Sequence, residues 1–81
     1  MKDITVYSTS WCGFCHQLKE WLKEKGLEFE DIDIEADEAA AKEVVEATKQ
    51  MGVPVTKIKG SYVVGFDRPK LEELLKSNNL I

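Results

Sequence analysis

The residues of this chain with the most distinctive chemistry are two cysteines, two positions apart, in Ser10-Trp11-Cys12-Gly13-Phe14-Cys15-His16, and the 81 residues hold no others. Two thiols at that spacing can close into a disulfide and reopen. The thiolate of one attacks a foreign disulfide and the second thiol completes the exchange. A four-ligand zinc site would need a second pair, which is absent. Two other chemistries fit the same stretch. Cys-x-x-Cys-His is the covalent attachment motif of c-type haem, and Cys12, Cys15 and His16 are three possible ligands for a metal ion or an iron–sulfur cluster. Haem fits poorly: no export signal precedes the motif, and the only internal methionine for a second axial position is Met51, at a helix end. Thiol–disulfide exchange with no bound cofactor is the expected chemistry.

The two sulfurs should not be equivalent. From Phe14 onward apolar residues recur at Leu18, Trp21 and Leu22, the spacing of one helix face, with Gly26 as the stop. On that helix Cys12, His16 and Lys19 share one side, while Cys15 lies only about 20° from Leu22. Cys12 is therefore expected to face solvent as the attacking thiol, with Cys15 half-buried as the resolving one. Unpaired N–H groups at the helix start favour the thiolate at Cys12. Gly13 leaves room for a substrate backbone. His16 and Lys19 read as solvated polar residues, with support of a thiolate as the alternative.

A helix so placed needs a scaffold. Ile4-Thr5-Val6-Tyr7 reads as a short buried first strand, leading through Ser8-Thr9-Ser10 into the cysteine helix. Leu27 to Ile34 suits an edge strand whose acids discourage further pairing. Asp37 and Glu38 open a second helix that the pattern Ala40, Val44, Ala47 and Met51 carries to Gly52. Val53 to Ile58 and Tyr62 to Val64, joined by the three residues Lys59-Gly60-Ser61, read as a hairpin. Asp67-Arg68-Pro69 caps and opens a last helix buried through Leu71, Leu74 and Leu75. The order β-α-β-α-β-β-α predicts an α/β fold. Its four-stranded mixed sheet should run two, one, three, four in space, with helices on both faces.

With 43% hydrophobic residues, 81 positions supply the modest core of one domain, 1–81. A net charge of −4 argues against nucleic acid and anionic membranes as partners. The charge is uneven, with nine acids against Lys42 between Glu28 and Glu46 and six bases against three acids from Lys49 onward. The acidic stretch reads as a solvated face. With neither a secretory leader nor a long apolar run, a cytoplasmic protein is expected, and in a reducing cytosol a lone cysteine pair is catalytic rather than structural.

At Trp11-Cys12-Gly13-Phe14-Cys15, Gly52-Val53-Pro54 and Val64-Gly65-Phe66-Asp67 the chain resembles the glutaredoxin family over essentially its whole length. The resemblance implies a minimal thioredoxin fold, with Cys12 as nucleophile and Cys15 as resolving cysteine. It implies Pro54 as a cis-proline facing them and Val53 offering its backbone to a bound cysteinyl peptide. Trp11, Gly13, Phe14, Gly65, Phe66 and Asp67 would complete the substrate contacts. A glutathione-disulfide or protein-disulfide oxidoreductase follows, with glutathione as reducing cosubstrate and Lys57, Lys59, Arg68 and Lys70 attracting its carboxylates. The chain departs from the pattern at Thr9 and Gly52, where the family commonly has lysine and threonine, and at Phe66, where it has a second glycine. Gly65-Phe66, Arg68-Pro69 and the Cys-x-x-Cys-His-x-x-Lys of Cys12 to Lys19 look like the NrdH-type redoxins, which draw on thioredoxin reductase and serve ribonucleotide reductase. Partners are thus glutathione and disulfide-containing proteins, or those two enzymes, met by a monomer.

Overall fold

The computed structural model describes residues 3–49 and 54–81. Strand β1 (Ile4–Ser8) leads into helix α1 (Gly13–Glu24), β2 (Glu30–Asp33), α2 (Glu38–Thr48), the β3 (Val55–Ile58) and β4 (Ser61–Val64) hairpin, and α3 (Arg68–Ser77). The sheet order is β2-β1-β3-β4, as the sequence predicts, with β1–β2 parallel and the other pairs antiparallel. β1 is central, and its alternation divides the interior. Ile4 and Val6 join Leu18, Leu22, Ile58, Val63, Leu71 and Leu75 on one face, and Tyr7 joins Ala40, Val44 and Val55 on the other. A period of two along a strand forces this division.

Several boundaries differ from the sequence expectation. β2 is confined to Glu30–Asp33, because Leu27 and Phe29 turn back to pack on the core under α1 and the Leu27 N–H bonds the Leu22 carbonyl at 3.1 Å. α2 ends at Thr48 rather than Gly52. Lys49 takes a left-handed φ of 64° and its N–H returns to the Val45 carbonyl, so the backbone turns without a glycine. Met51, Gly52 and Val53, and with them the Val53–Pro54 bond, lie outside the described residues. The hairpin connection is two residues, not three: Ile58 pairs with Ser61, while Lys59 (φ 45°) and Gly60 (φ 91°) both take positive φ. A type I′ turn requires this, because its twist matches that of the strands. α3 starts as predicted, with Asp67 as cap and proline in the first turn.

The face of α1 is displaced from the expected one. Phe14 is 64% exposed, and the buried residues of the helix are Cys15, Leu18 and Leu22. The helical stripe is therefore completed by a sulfur rather than by the phenyl ring.

Candidate functional site

Parallel pairing of β1 with β2 and antiparallel pairing with β3 bring four chain segments to one end of the sheet. Ser8 and Asp33 are register partners, so the Thr9–Cys12 loop and the loop after β2 leave together. Tyr7 faces Val55, placing buried Pro54 at the same end, and the Gly65 N–H bonds the Pro54 carbonyl at 2.8 Å. Three sequence motifs separated by as many as 50 residues thus converge at the strand ends, where open α/β sheets hold their sites.

Cys12 is the N-cap of α1. Its Sγ accepts the backbone N–H of Cys15 at 3.1 Å, and its own N–H bonds the Thr9 carbonyl at 3.4 Å. Both cysteines are free thiols, Cys12 partly exposed and Cys15 0% exposed. A sulfur receiving a helix-terminal N–H is suited to carry negative charge. Burial, followed by the hydrogen bond with Cys12, pushes the Cys15 thiol up to about 12, while the Thr9 backbone and Lys19 pull the other way. Cys15 is more deeply buried than the half-burial the sequence predicts. The sulfurs are distinct in environment as well as in position.

Around Cys12 the surface is open and aromatic. Trp11 is 71% exposed and its indole N–H donates to Glu35 Oε2 at 3.1 Å, and Phe14 stands free beside it. A Cβ built on Gly13 would meet nothing within 4 Å, so the approach to Cys12 on that side is unobstructed. His16 is exposed. Among the described residues no group of three or more His, Cys, Asp or Glu side chains is placed to hold a metal ion, and Cys15 is buried while His16 is exposed.

Gly65 takes a φ of 80°, a conformation few side chains tolerate, and aims the chain into α3. Phe66 packs edge-on to Trp21 with ring centres 5.9 Å apart, under the Arg68 guanidinium at 5.6 Å. The Asp67 carboxylate accepts the Lys70 N–H at 3.4 Å, so it serves as the cap of α3. Arg68 and Lys70 lie at this end, whereas Lys57 bonds Glu43 on the α2 face and Lys59 sits in the hairpin turn at the opposite end of the sheet. The expected four-residue basic patch is therefore not assembled. Glu35, Asp31 and Ser8, which the sequence did not single out, do lie at the site. The period-two alternation of β2 and the parallel register were the signals that could have found them.

The glutaredoxin family model matches residues 4–63, which contain both cysteines and all four strands except the last residue of β4. The chain is 37% identical over 73 residues to an uncharacterised glutaredoxin-like 8.6 kDa protein of the rubredoxin operon of Clostridium pasteurianum, covering 90% of this chain and 97% of that one. The glutaredoxin of Archaeoglobus fulgidus superposes with a TM-score of 0.84 at 30% identity, covering 94% and 88% of the two chains. The glutaredoxin-like NrdH-redoxin of Escherichia coli superposes with a TM-score of 0.76 at 27% identity, covering 88% and 92%. Fold, cysteine spacing and relatives agree, and the chain belongs to the glutaredoxin family as a thioredoxin-fold thiol redox protein.

Proposed function

We propose that the protein reduces protein disulfides and mixed disulfides through Cys12 and Cys15, with glutathione as a weakly used reducing cosubstrate. The observation that carries this reading is the asymmetry of the pair: an accessible sulfur at the start of α1 and a fully buried one a turn away. The Cys12 thiolate attacks a target disulfide and forms a mixed disulfide, while the first target sulfur leaves as a thiolate and takes a proton from water. Cys15 then loses its proton and attacks the Cys12 sulfur. The second target sulfur departs and a Cys12–Cys15 disulfide remains. Two glutathione molecules return the two electrons and become glutathione disulfide. Trp11, Gly13 and Phe14 form the docking surface in this reading, with Pro54 at the same end of the sheet and Gly65, Phe66 and Asp67 at the γ-glutamyl end.

A second reading makes thioredoxin reductase the electron source and ribonucleotide reductase the target. Phe66 favours it, since a ring packed on Trp21 and Arg68 stands where a second glycine would admit the glutathione backbone. The NrdH-redoxin among its structural relatives has, by its own description, a thioredoxin-like activity profile.

One assay series tests both. Cys12→Ser should abolish disulfide reduction, whereas Cys15→Ser should still form mixed disulfides; equal loss of mixed-disulfide formation would reverse the assignment. Turnover of the wild type with glutathione and glutathione reductase is then compared with turnover by thioredoxin reductase, and Phe66→Gly should raise the first. Turnover confined to thioredoxin reductase, unchanged by Phe66→Gly, would remove glutathione from the scheme.

A further inference from the structure

Cys15 must lose a proton to resolve the mixed disulfide, yet burial opposes its thiolate, so something near it has to carry a compensating charge. Lys19 is four residues on along α1, one turn from Cys15 at the margin of the buried stripe. Long helical side chains lean toward the N-terminus, so its stem runs back over the turn that holds Cys15. Its ammonium is fixed: Lys19 Nζ lies 2.9 Å from Asp31 Oδ2, and the Ser8 hydroxyl donates to Asp31 Oδ1 at 2.9 Å. Ser8 leads directly into Thr9, whose carbonyl accepts the Cys12 N–H at 3.4 Å. The contacts from Lys19 through Asp31 to Ser8 thus tie α1 to β2 and to the end of β1, beside the loop that leads into the cysteines.

We propose that Lys19, held in place by Asp31 and Ser8, is a positioning residue for the resolving step, its ammonium supplying the counter-charge for the thiolate that Cys15 becomes. The inference rests on the dithiol reading above and directs toward Cys15 a residue that reads from sequence as solvated, with support of a thiolate as the alternative. A partly exposed ion pair of this kind contributes little to stability. Its side chains also line a polar cleft of about 220 Å³ with Ser8, Thr9, Ser10 and Asp33. When Cys12 is tied up in a mixed disulfide, its hydrogen bond and charge no longer oppose the Cys15 thiolate, and the pull of Lys19 remains. The titratable and charged groups facing this point are Cys12 and Lys19 from α1 and Asp31 and Asp33 from β2. The Ser8–Ser10 segment brings hydroxyls only, and His16 faces solvent.

The test uses one equivalent of 4,4′-dithiodipyridine, an uncharged disulfide, on the reduced full chain. The first thiopyridone released reports attack by Cys12 and the second reports resolution by Cys15. Lys19→Met and Lys19→Gln should leave the first phase unchanged and move the pH midpoint of the second upward. For a rise of about one pH unit the second phase slows about threefold at neutral pH, because the tenfold loss of thiolate is partly offset by its greater nucleophilicity. Lys19→Arg should restore the wild-type profile. A second phase with unaltered rate and pH midpoint in both neutral variants overturns the role of Lys19 alone. Equal slowing of both phases, or no rescue by Lys19→Arg, reduces Lys19 to a structural residue. Absence of a first phase from the wild type, or its survival in Cys12→Ser, overturns the dithiol reading instead.

Discussion

On the sheet face that carries α1 and α3, eight buried side chains from Ile4 to Leu75 close into a wholly apolar cluster, with Trp21, Leu27, Phe29, Phe66, Leu74 and Leu80 packed at its margin. On the α2 face the buried group shrinks to Tyr7, Ala40, Val44 and Val55, and a single carboxylate gathers the polar ends around it. Glu43 Oε2 accepts from Tyr62 at 2.6 Å, Tyr7 at 2.9 Å and Lys57 at 3.3 Å, joining α2 to β1, β3 and β4. One face is held by buried area and the other by a charge-assisted hydrogen-bond cluster. The cysteine helix lies on the first. That placement strips Cys15 of solvent and makes its thiolate costly.

The contrast is open to test, beginning with the largest effect. Leu75→Ala on the apolar face should lower unfolding stability by about 2–5 kcal/mol in urea titrations. Glu43→Ala leaves the Tyr7 and Tyr62 hydroxyls without their acceptor and should cost about 1–2 kcal/mol, at the low end because the Glu43 side chain is 40% exposed. If Glu43→Ala proved as damaging as Leu75→Ala, the two faces would not differ as described. Thr56 offers the converse test, since it points into the apolar face at 0% exposure and its hydroxyl has no partner among the described residues. Thr56→Val should therefore stabilise the protein by about 1 kcal/mol, and a loss of stability would reveal a partner.

The smallest effect lies in the pH dependence. Hydrogen bonds from Tyr62, then Tyr7 and Lys57, hold the Glu43 carboxyl below its ordinary 4.5, against an opposing push from its partial burial. A depressed carboxyl stabilises the fold above its unfolded value, and that contribution is lost as pH falls through the folded one. At the alkaline end the signs reverse. Tyr62 and Lys57 are raised mainly by their hydrogen bonds with Glu43, and Tyr7 mainly by burial, so their contributions are full below the ordinary values and lost as pH climbs through the raised ones. Thermal midpoints of Glu43→Gln should vary less than those of the wild type below pH 4.5. Parallel acid limbs for the two proteins would remove Glu43 as their source.

Much of this was legible in advance. The cysteine spacing named the chemistry, the β-α-β-α-β-β-α order named the sheet, and the wheel position of Cys15 beside Leu22 named the inner sulfur, because periodicity and covalent spacing are local properties of the chain. The departures arose where distant segments compete for the same space. Phe14 fits the apolar stripe by spacing, but α1 packs with Cys15, Leu18 and Leu22 inward, so the ring stays in solvent. Lys57 and Lys59 belong by composition to a basic segment, yet strand register carries one to Glu43 and the other to the far end of the sheet.

The sequence by itself determined the reactive pair, the helix that presents it and the alternation that makes β1 central, since each depends on residues within one or two turns of one another. Only the tertiary structure decided how deeply Cys15 is buried and that the Lys19 ammonium, one turn on, is held by a carboxylate from β2. Parallel pairing placed Asp31 and Ser8 together across 23 residues of chain. Contacts that cross a sheet depend on register, and register is set by the packing of the whole domain.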